Sequence, residues 1–522
     1  MTFQRPVSTR FHQVKRNNVW KQNSQVSSFI YNRVKTSLGP KGAYKIVAYN
    51  KGPERVVKLC KDVIPVLEEL GMDYPLIRIL AEAAKMQKTE IGDGTTQFVL
   101  LTTSLLEKAY ELMDQGVHAN TIVNGFQKAA KKAKELINLR SDGTEKIKEQ
   151  DILDLVDCGR GLLKPKICDM IVEASQIAKS KGKLDKEKIK YVKKPGGKTG
   201  ESSLVKGAIL QKEKTHPSMP DQVDDPRIAL VSGNIGYKRL ELLMRKEGPT
   251  PFLLEIKDPK LLREFKKFEN ELKTSAVQKI EAVGANVLLC EQLIDDVVNE
   301  ELSRSGIFTL DRVDKEDTKF VAQATGAHVV GTLDDLLESD LGTAEKITVD
   351  WSDPGKVVQV NGCNGATFLL RGTTSQSLDE IQDVIERSIT LIKNSGEDSR
   401  TLPGGGAIYV YLSSELNKYA LEYTGKEQVV IQSFAEAIER IPQSLAENTG
   451  KDKIDIMTEL KRQHNGGLSS EGVGLEGCLE NACNELSTIP SSIINRAFEV
   501  AALVIRIDEL LISKEIAKFH KK

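Results

Sequence analysis

The segment 90–96, Glu-Ile-Gly-Asp-Gly-Thr-Thr, has the residue types of a phosphate-binding turn that opens a helix. Its two glycines would let the backbone approach an anion closely. The free N–H groups of the first helical turn and the two threonine hydroxyls would point at that anion, and the helix dipole favours negative charge there. Asp93 would repel a bare phosphate, so its presence implies a cation between the two, for which Mg²⁺ is well suited. The alternative is a glycine-rich helix start that Asp93 caps.

A second glycine-rich turn, at 402–407, also precedes a helical pattern. Its three consecutive glycines cost backbone entropy and are best explained by close approach to a ligand or to another backbone. A flexible linker at a domain boundary is the alternative. Near the C-terminus, Asp508 follows the apolar run 501–507, where its carboxylate could accept hydrogen bonds from a ribose or simply cap the helix.

The order of helical and strand-like patterns places these turns in a multidomain α and α/β protein. Helical patterns cover most of residues 19–139, apart from a predicted β-hairpin at 44–59. Strand-like runs then alternate with helices over 209–372, which predicts an α/β domain with a central sheet. Helical patterns return at 378–394 and beyond. One helical domain is therefore expected from both chain ends, with the α/β domain inserted between them.

Composition excludes several other kinds of protein. Lys+Arg and Asp+Glu are both 74 in 522 residues and aromatic residues make up only 5%, which disfavours a nucleic-acid partner. No apolar run approaches 18 residues and the polar N-terminus lacks a signal-peptide core, so a cytoplasmic protein outside the membrane is expected. The seven cysteines form no CxxC pair, which indicates free buried thiols in a reducing compartment and gives no support for a zinc site.

With these motifs in view, the chain resembles a group II chaperonin subunit, the thermosome and cytosolic eukaryotic chaperonin family, over nearly its whole length. The matching stretches are Thr36-Ser37-Leu38-Gly39-Pro40-Lys41-Gly42, Gly92-Asp93-Gly94-Thr95-Thr96, Gly284-Ala285-Asn286-Val287, Ala324-Thr325-Gly326-Ala327, residues 403–407, Ser433-Phe434-Ala435-Glu436-Ala437 and Leu445-Ala446-Glu447-Asn448.

The resemblance implies the chaperonin fold and a division into three domains. Residues 1–140 and 402–522 would form a helical equatorial ATP-binding domain, and 141–208 with 366–401 a small intermediate hinge domain. Residues 209–365 would form an α/β apical domain with a helical lid protrusion at about 242–274. The implied function is that of an ATP-binding subunit in a cytoplasmic double ring, a homo- or hetero-oligomer of homologous subunits that encloses unfolded protein.

The resemblance also implies a set of ligand-binding residues for ATP and Mg²⁺, with Asp93 as the metal ligand. The residues expected around the nucleotide are Leu38, Gly39, Pro40, Gly92, Asp93, Gly94, Thr95, Thr96, Gly404, Gly405, Gly406, Gly472, Glu485 and Asp508.

Two departures from the family concern catalysis. The family's Asn-Asp-Gly-Ala-Thr is Lys-Asp-Val-Ile-Pro here, at 61–65, so that Asp62 survives without its usual neighbours. The family's water-orienting Asp, seventeen residues before the first glycine of the Gly-Gly-Gly turn, is replaced by Arg387. A guanidinium cannot accept a proton or orient water as a carboxylate does. Helical periodicity places Arg387 opposite the apolar stripe, either as a solvated residue or as a partner of phosphate.

Nearby acidic residues are poor substitutes, because Asp383 lies one turn earlier and Glu386 lies about 100° around the helix. Two lesser departures are Gly159-Arg160-Gly161 followed by Lys164, in place of Thr-Gly-Lys-Gly, and Gly472-Val473-Gly474, in place of Gly-Val-Asp. The sequence thus predicts retained nucleotide binding with weakened hydrolysis. The alternative is a structural or regulatory ring subunit that depends on homologous partners for ATP turnover. A free-standing phosphotransferase finds no support in the scattered histidines.

Overall fold

The protein is described by a computed structural model over residues 11–14, 16–51, 54–71, 74–141, 152–153, 165–180, 183–236, 274–350, 357–450, 452–473, 479–481 and 484–513. The chain forms two compact units, one from residues 1–164 with 383–522 and one from 165–382. The first unit therefore draws on both chain ends. The three-domain division stays a prediction. Of the predicted lid, only Thr274 lies within the described residues.

Helices dominate the first unit, whereas strands dominate the second. The helices are α1 (Arg16–Val34), α2 (Val63–Gly71), α3 (Pro75–Glu90), α4 (Thr95–Asp114), α5 (Ala119–Ser141), α6 (Pro165–Ile177), α7 (Asp296–Arg304), α8 (Lys315–Thr325), α9 (Ser375–Glu397), α10 (Ala407–Ala420), α11 (Lys426–Asn448), α12 (Lys453–His464) and α13 (Thr488–Ile505). The strands are β1 (Phe11–Val14), β2 (Lys45–Lys51), β3 (Glu54–Cys60), β4 (Lys179–Ser180), β5 (Lys183–Leu184), β6 (Ile189–Pro195), β7 (Ser203–Leu210), β8 (Gln222–Asp224), β9 (Arg227–Val231), β10 (Val287–Cys290), β11 (Phe308–Leu310), β12 (Val329–Val330), β13 (Gly342–Thr343), β14 (Lys346–Asp350), β15 (Val357–Gly372), β16 (Thr401–Pro403), β17 (Glu471–Val473), β18 (Leu479–Asn481), β19 (Asn484–Leu486) and β20 (Leu510–Ser513).

Helix α4 is the central helix of the first unit. It is buried on most sides and packs against α1, α11 and α13. Its buried Thr102, Thr103 and Ser104 are satisfied locally, since each hydroxyl donates to the carbonyl four residues earlier at 2.7–2.8 Å. The helix that begins at the predicted phosphate turn is thus held rigidly from all sides.

The hairpin and helix predictions hold with two changes in the first unit. Strands β2 and β3 pair antiparallel as predicted. The helical pattern at 64–88 is two helices, since α3 starts anew at Pro75, which occupies its first turn. Helix α13 is long and apolar enough to cross a membrane by length and composition, but half of it is buried, and it packs against α4 and α5 as a core helix does.

The described part of the second unit contains two five-stranded sheets and the small two-stranded sheet of β4 and β5, where the sequence predicted one central sheet. The first has the order β11-β10-β9-β12, with these strands parallel and with β13 antiparallel on β9. The second has the order β6-β15-β14-β8, with β7 also paired to β15. Its strands β6 and β7 are consecutive in sequence and are separated by residues 196–202. Their partner β15 begins only at Val357, far along the chain from the end of β7 at Leu210, so local composition does not reveal the pairing.

The described cysteines agree with the expectation of buried thiols outside disulfides: Cys60, Cys168, Cys290 and Cys363 are buried and form no disulfide bond. The multidomain α and α/β class is likewise confirmed by the two units.

Phe434 offers a test of the core of the first unit. It is fully buried on α11 and packs edge-on against Phe126 of α5, with ring centroids 5.4 Å apart. Phe434→Ala should lower the free energy of unfolding by about 3–5 kcal/mol, whereas Phe434→Leu should cost less because it leaves a smaller cavity. Urea denaturation followed by circular dichroism measures both. Leu421→Ala, at an exposed position, is the control, and an equal loss there would contradict the assignment of the core.

Candidate functional site

The predicted phosphate turn connects α3 to α4, and two helices crowd against it. Gly92 (φ +93°) and Gly94 (φ +82°) both have the left-handed backbone that favours glycine. A Cβ at Gly92 would lie 2.9 Å from the Thr390 side chain on α9, and one at Gly94 would lie 2.6 Å from Ile493 on α13. Helix packing therefore requires these glycines, a reason that the sequence analysis did not identify.

Side-chain amides hold this turn in place. The amide of buried Gln87 donates to the Asp93 carbonyl at 3.0 Å and accepts from the Ser492 hydroxyl at 2.9 Å. On the other side, Asn394 of α9 donates to the carbonyls of Glu90 and Ile91 at 2.9 and 3.0 Å. The turn thus has a fixed shape before any ligand arrives.

The first turn of α4 has no side-chain cap. Gly94 is the N-cap residue and no side chain accepts a hydrogen bond there, so Asp93 does not cap the helix as the alternative interpretation supposed. The Asp93 side chain is 39% exposed. Thr95 is buried and Thr96 is half-buried. The helix start therefore combines uncapped N–H groups with an accessible carboxylate.

Arg387 lies beside this turn and is buried, which rules out a solvated residue, one of the two alternatives that the sequence left open. Its side chain is only 6% exposed and that of Asp62 is 10% exposed. Arg387 Nη2 donates to Asp62 Oδ2 at 2.6 Å. Its Nε lies 2.9 Å from Asp383 Oδ2, within ion-pair distance although the N–H is not aimed well enough for a hydrogen bond. Its Nη1 is 3.9 Å from Asp93 Oδ1.

Lys88 completes the cluster around Arg387. It forms ion pairs with Asp62, at 3.0 Å, and with Asp383. The Thr95 hydroxyl donates to Asp62 Oδ1 at 3.2 Å. We call the five residues Asp62, Lys88, Asp93, Asp383 and Arg387 the charge cluster. Two cations face three carboxylates in it.

The charge cluster keeps Asp62 ionised. Burial by itself would raise the pKa of Asp62, but the Arg387 and Lys88 charges and a hydrogen bond from Lys88 outweigh burial and hold that pKa well below its usual range. For Arg387, burial would lower the pKa, but the neighbouring carboxylates raise it instead. A pair of buried opposite charges is stable only when each remains ionised, so Arg387 stays a fixed cation here.

The second glycine turn approaches another backbone, one of the two explanations offered by the sequence. The Val473 N–H donates to the Gly405 carbonyl at 2.9 Å, which places Gly472 of β17 beside the turn. Gly404, which precedes Gly405 in the turn, is buried. Gly406 has φ +82° and begins α10 without a side-chain cap, and a Cβ on it would lie 2.9 Å from Pro442. The turn is therefore rigid rather than a flexible linker.

The segment 38–40, which is expected to lie near the nucleotide, meets this second turn on α11. Leu445 lies against both Gly39, at 2.7 Å from a Cβ placed there, and Gly406, at 3.3 Å. Asn448, one turn later, donates to the Leu38 carbonyl at 2.8 Å. Lys61 donates to the Pro40 carbonyl at 3.2 Å, and its neighbour Asp62 belongs to the charge cluster. The segment 61–62 thus joins the two halves of the site.

Glu485 is a buried acid in this region without a complete set of partners. It lies on β19, opposite Leu402 of β16, and its Oε1 has no hydrogen-bond partner. Burial, with a smaller contribution from the Asp93 charge, raises the pKa of Glu485 to about 8. Burial, with smaller contributions from Glu485 and Asp93, raises the pKa of Tyr409 on α10. The Tyr409 hydroxyl donates to the Gln97 side chain at 2.9 Å. Tyr409 was not predicted as a site residue, because its place in an apolar helix pattern indicates a core residue and not a functional hydroxyl.

Most of the predicted residues therefore lie in one region of the first unit, whereas Asp508 is exposed between α13 and β20. A nucleotide with Mg²⁺ fits what is present. Two uncapped helix starts can bind anionic groups, and Asp93 offers an accessible oxygen ligand. Among the described residues no group of three His, Cys, Asp or Glu side chains could hold a metal by itself, as is usual where Mg²⁺ takes most of its ligands from phosphate and water.

Comparison with known proteins identifies the family. The TCP-1/cpn60 chaperonin family matches residues 30–515. A thermosome subunit of Methanopyrus kandleri is 33% identical over 517 residues, covering 95% of this chain and 92% of that protein. The beta and alpha thermosome subunits of Thermoplasma acidophilum are each 32% identical, with the same coverage. The chain belongs to the TCP-1/cpn60 chaperonin family, and its homology to thermosome subunits supports a chaperonin function in protein folding.

Glu485 predicts a pH dependence of stability. Its folded-state pKa of about 8 exceeds the ordinary value of 4.5, so between these values the unfolded chain has lost the proton and the folded chain retains it. Stability should therefore fall as pH rises from about 5 to about 8, by a few kcal/mol, since a pKa difference of one is worth about 1.4 kcal/mol. Glu485→Gln, which stays neutral, should be more stable than the unmodified protein at pH 8 and nearly equal to it at pH 5. Urea midpoints at both pH values measure this. Glu422→Gln, on the surface, is the control. If the stability of Glu485→Gln fell with pH as steeply as that of the unmodified protein, the prediction would be refuted.

Proposed function

We propose that this protein is an ATP-binding subunit of a cytoplasmic double-ring chaperonin that encloses unfolded proteins, and that its own ATP hydrolysis is weak. The observation that supports weak hydrolysis is the burial of Arg387 between Asp62 and Asp383. The ring and its homologous partner subunits are proposed from membership of the family, whose relatives include both alpha and beta thermosome subunits.

Nucleotide binding is supported by the two preformed turns. The phosphates would lie at the start of α4, where Asp93 would hold Mg²⁺. The ribose and base would lie along Gly404–Gly406 and the segment 38–40, next to Glu485. Bound Mg²⁺ would supply positive charge to the phosphate oxygens. Because helix packing and side-chain amides already fix both turns, little ordering entropy would be lost on binding.

Weak hydrolysis follows from the state of the carboxylates. A carboxylate that orients water needs an oxygen free to accept its proton. Asp62 and Asp383 instead direct oxygens at Arg387 and at Lys88. The cations keep Asp62 a weak base, since its pKa lies well below the usual range. Arg387 itself has no acceptor.

A second function in a different class rests on the same observation. If these carboxylates never release Arg387, the chain would be a structural or regulatory ring subunit, and homologous partners would supply all ATP turnover. Turnover by the purified chain, alone and mixed with partner subunits, separates the two functions.

The nucleotide site is tested by two glycines at opposite ends of α4. Gly94 and Gly116 share φ +82°, but a Cβ meets Ile493 only at Gly94, whereas nothing lies within 4 Å at Gly116. Gly94→Ala should lower ATP affinity about tenfold or more, because the turn must shift where its backbone contacts phosphate. Gly116→Ala bears the same backbone strain and should leave affinity unchanged. Calorimetric titration with ATP measures both, and equal affinities in the two variants would count against a phosphate site at this turn.

Arg387 is the test of weak hydrolysis. The unmodified chain should hydrolyse ATP roughly 10²–10⁴-fold more slowly than a subunit with a positioned carboxylate, the usual cost of losing such a group. Arg387→Asp should raise turnover at least tenfold, measured as phosphate release by protein free of partner subunits. Arg78→Asp, an exposed arginine on α3 paired only with Glu82 among its described salt bridges, controls for the change in net charge. Fast turnover by the unmodified chain would refute weak hydrolysis.

A further inference from the structure

Arg387 does more than remove a catalytic carboxylate, because it changes the total charge of the phosphate site. With Arg387, the charge cluster holds two positive and three negative groups, a net charge of −1. With aspartate at the same position it would hold one positive and four negative groups, a net charge of −3. An incoming nucleotide tetraanion would meet strong repulsion in the second case and much weaker repulsion in the first.

The position of the guanidinium matters as much as its charge. Its Nη1 lies 3.9 Å from the Asp93 oxygen that is accessible to a metal. A Mg²⁺ ion on Asp93 would therefore have a permanent cation as its neighbour. Arg387 weakens the attraction of the site for Mg²⁺ while it supplies part of the positive charge for which the metal is needed.

Other charged groups near the turn do not offset this effect. Glu90 forms an ion pair with Arg496, so that the two add no net charge. Glu485 carries a proton at neutral pH, since burial raises its pKa to about 8. Arg387 is held rigidly, with a side chain only 6% exposed, so its charge is present whether or not a nucleotide is bound.

We infer that this site binds ATP with little dependence on Mg²⁺, because Arg387 is a built-in cation that takes over part of the metal's role in neutralising the phosphates. The inference rests on the proposed nucleotide site and deepens it. It assigns Arg387 a role in ligand binding that is separate from its effect on hydrolysis.

The test compares ATP affinity in excess Mg²⁺ and in excess EDTA, by calorimetry and without reference to turnover. For the unmodified chain, removal of Mg²⁺ should weaken binding less than about tenfold. For Arg387→Asp it should weaken binding by roughly a hundredfold or more, since two units of charge are exchanged within a few ångströms of the phosphates. Arg387→Lys keeps the charge and should resemble the unmodified chain. Arg78→Asp makes the same charge reversal ten residues from Lys88, about 15 Å along α3. It should not change the ratio of ATP affinity in excess Mg²⁺ to ATP affinity in excess EDTA.

The outcomes separate the inference from the proposed function. If the unmodified chain bound ATP only in the presence of Mg²⁺, the inference would be overturned, whereas the proposed nucleotide site would still be supported. No binding in either condition would overturn both. The inference would also be overturned if removal of Mg²⁺ weakened ATP binding equally in the unmodified chain and in Arg387→Asp. Should Arg387→Asp fail to fold, Arg387→Gln removes the charge without reversing it. The inference then requires that removal of Mg²⁺ weaken ATP binding clearly more in Arg387→Gln than in Arg387→Lys.

Discussion

The ion pair between Arg387 and Asp62 is the interaction on which the arrangement of the site depends. Both side chains are almost fully buried, and their atoms are 2.6 Å apart. A buried charge is tolerated only beside an opposite charge, and loss of either partner leaves the other uncompensated. The pair therefore holds α9 to the segment that precedes α2. Lys88 and Asp383 extend the same connection to α3.

Around this pair, the two glycine turns are shaped by packing rather than by a ligand. Helices α9 and α13 lie where the side chains of Gly92 and Gly94 would be, and Pro442 of α11 lies where that of Gly406 would be. The uncapped helix starts are thus presented by a rigid scaffold. Such pre-organisation favours binding, because a ligand need not order the residues that contact it.

The substitution at position 387 connects stability, binding and catalysis in one residue. An arginine satisfies the buried carboxylates around it, which favours the folded state. The same charge would reduce the repulsion that a nucleotide meets, and its ion pairs with Asp62 and Asp383 deprive these carboxylates of the freedom that a base requires.

The sequence by itself determined the family, the two glycine turns, the hairpin and an α/β region with a sheet, because each is recorded in local residue types and spacing. It left Arg387 either solvated or paired with phosphate, since helical periodicity shows only which residues share a face of α9 and not what covers that face. Asp62 lies 325 residues away in sequence, and only the tertiary structure brings it to Arg387. The sheet formed by β6, β7 and β15 was hidden for the same reason: strand pairing over such distances depends on partners that no local pattern reveals.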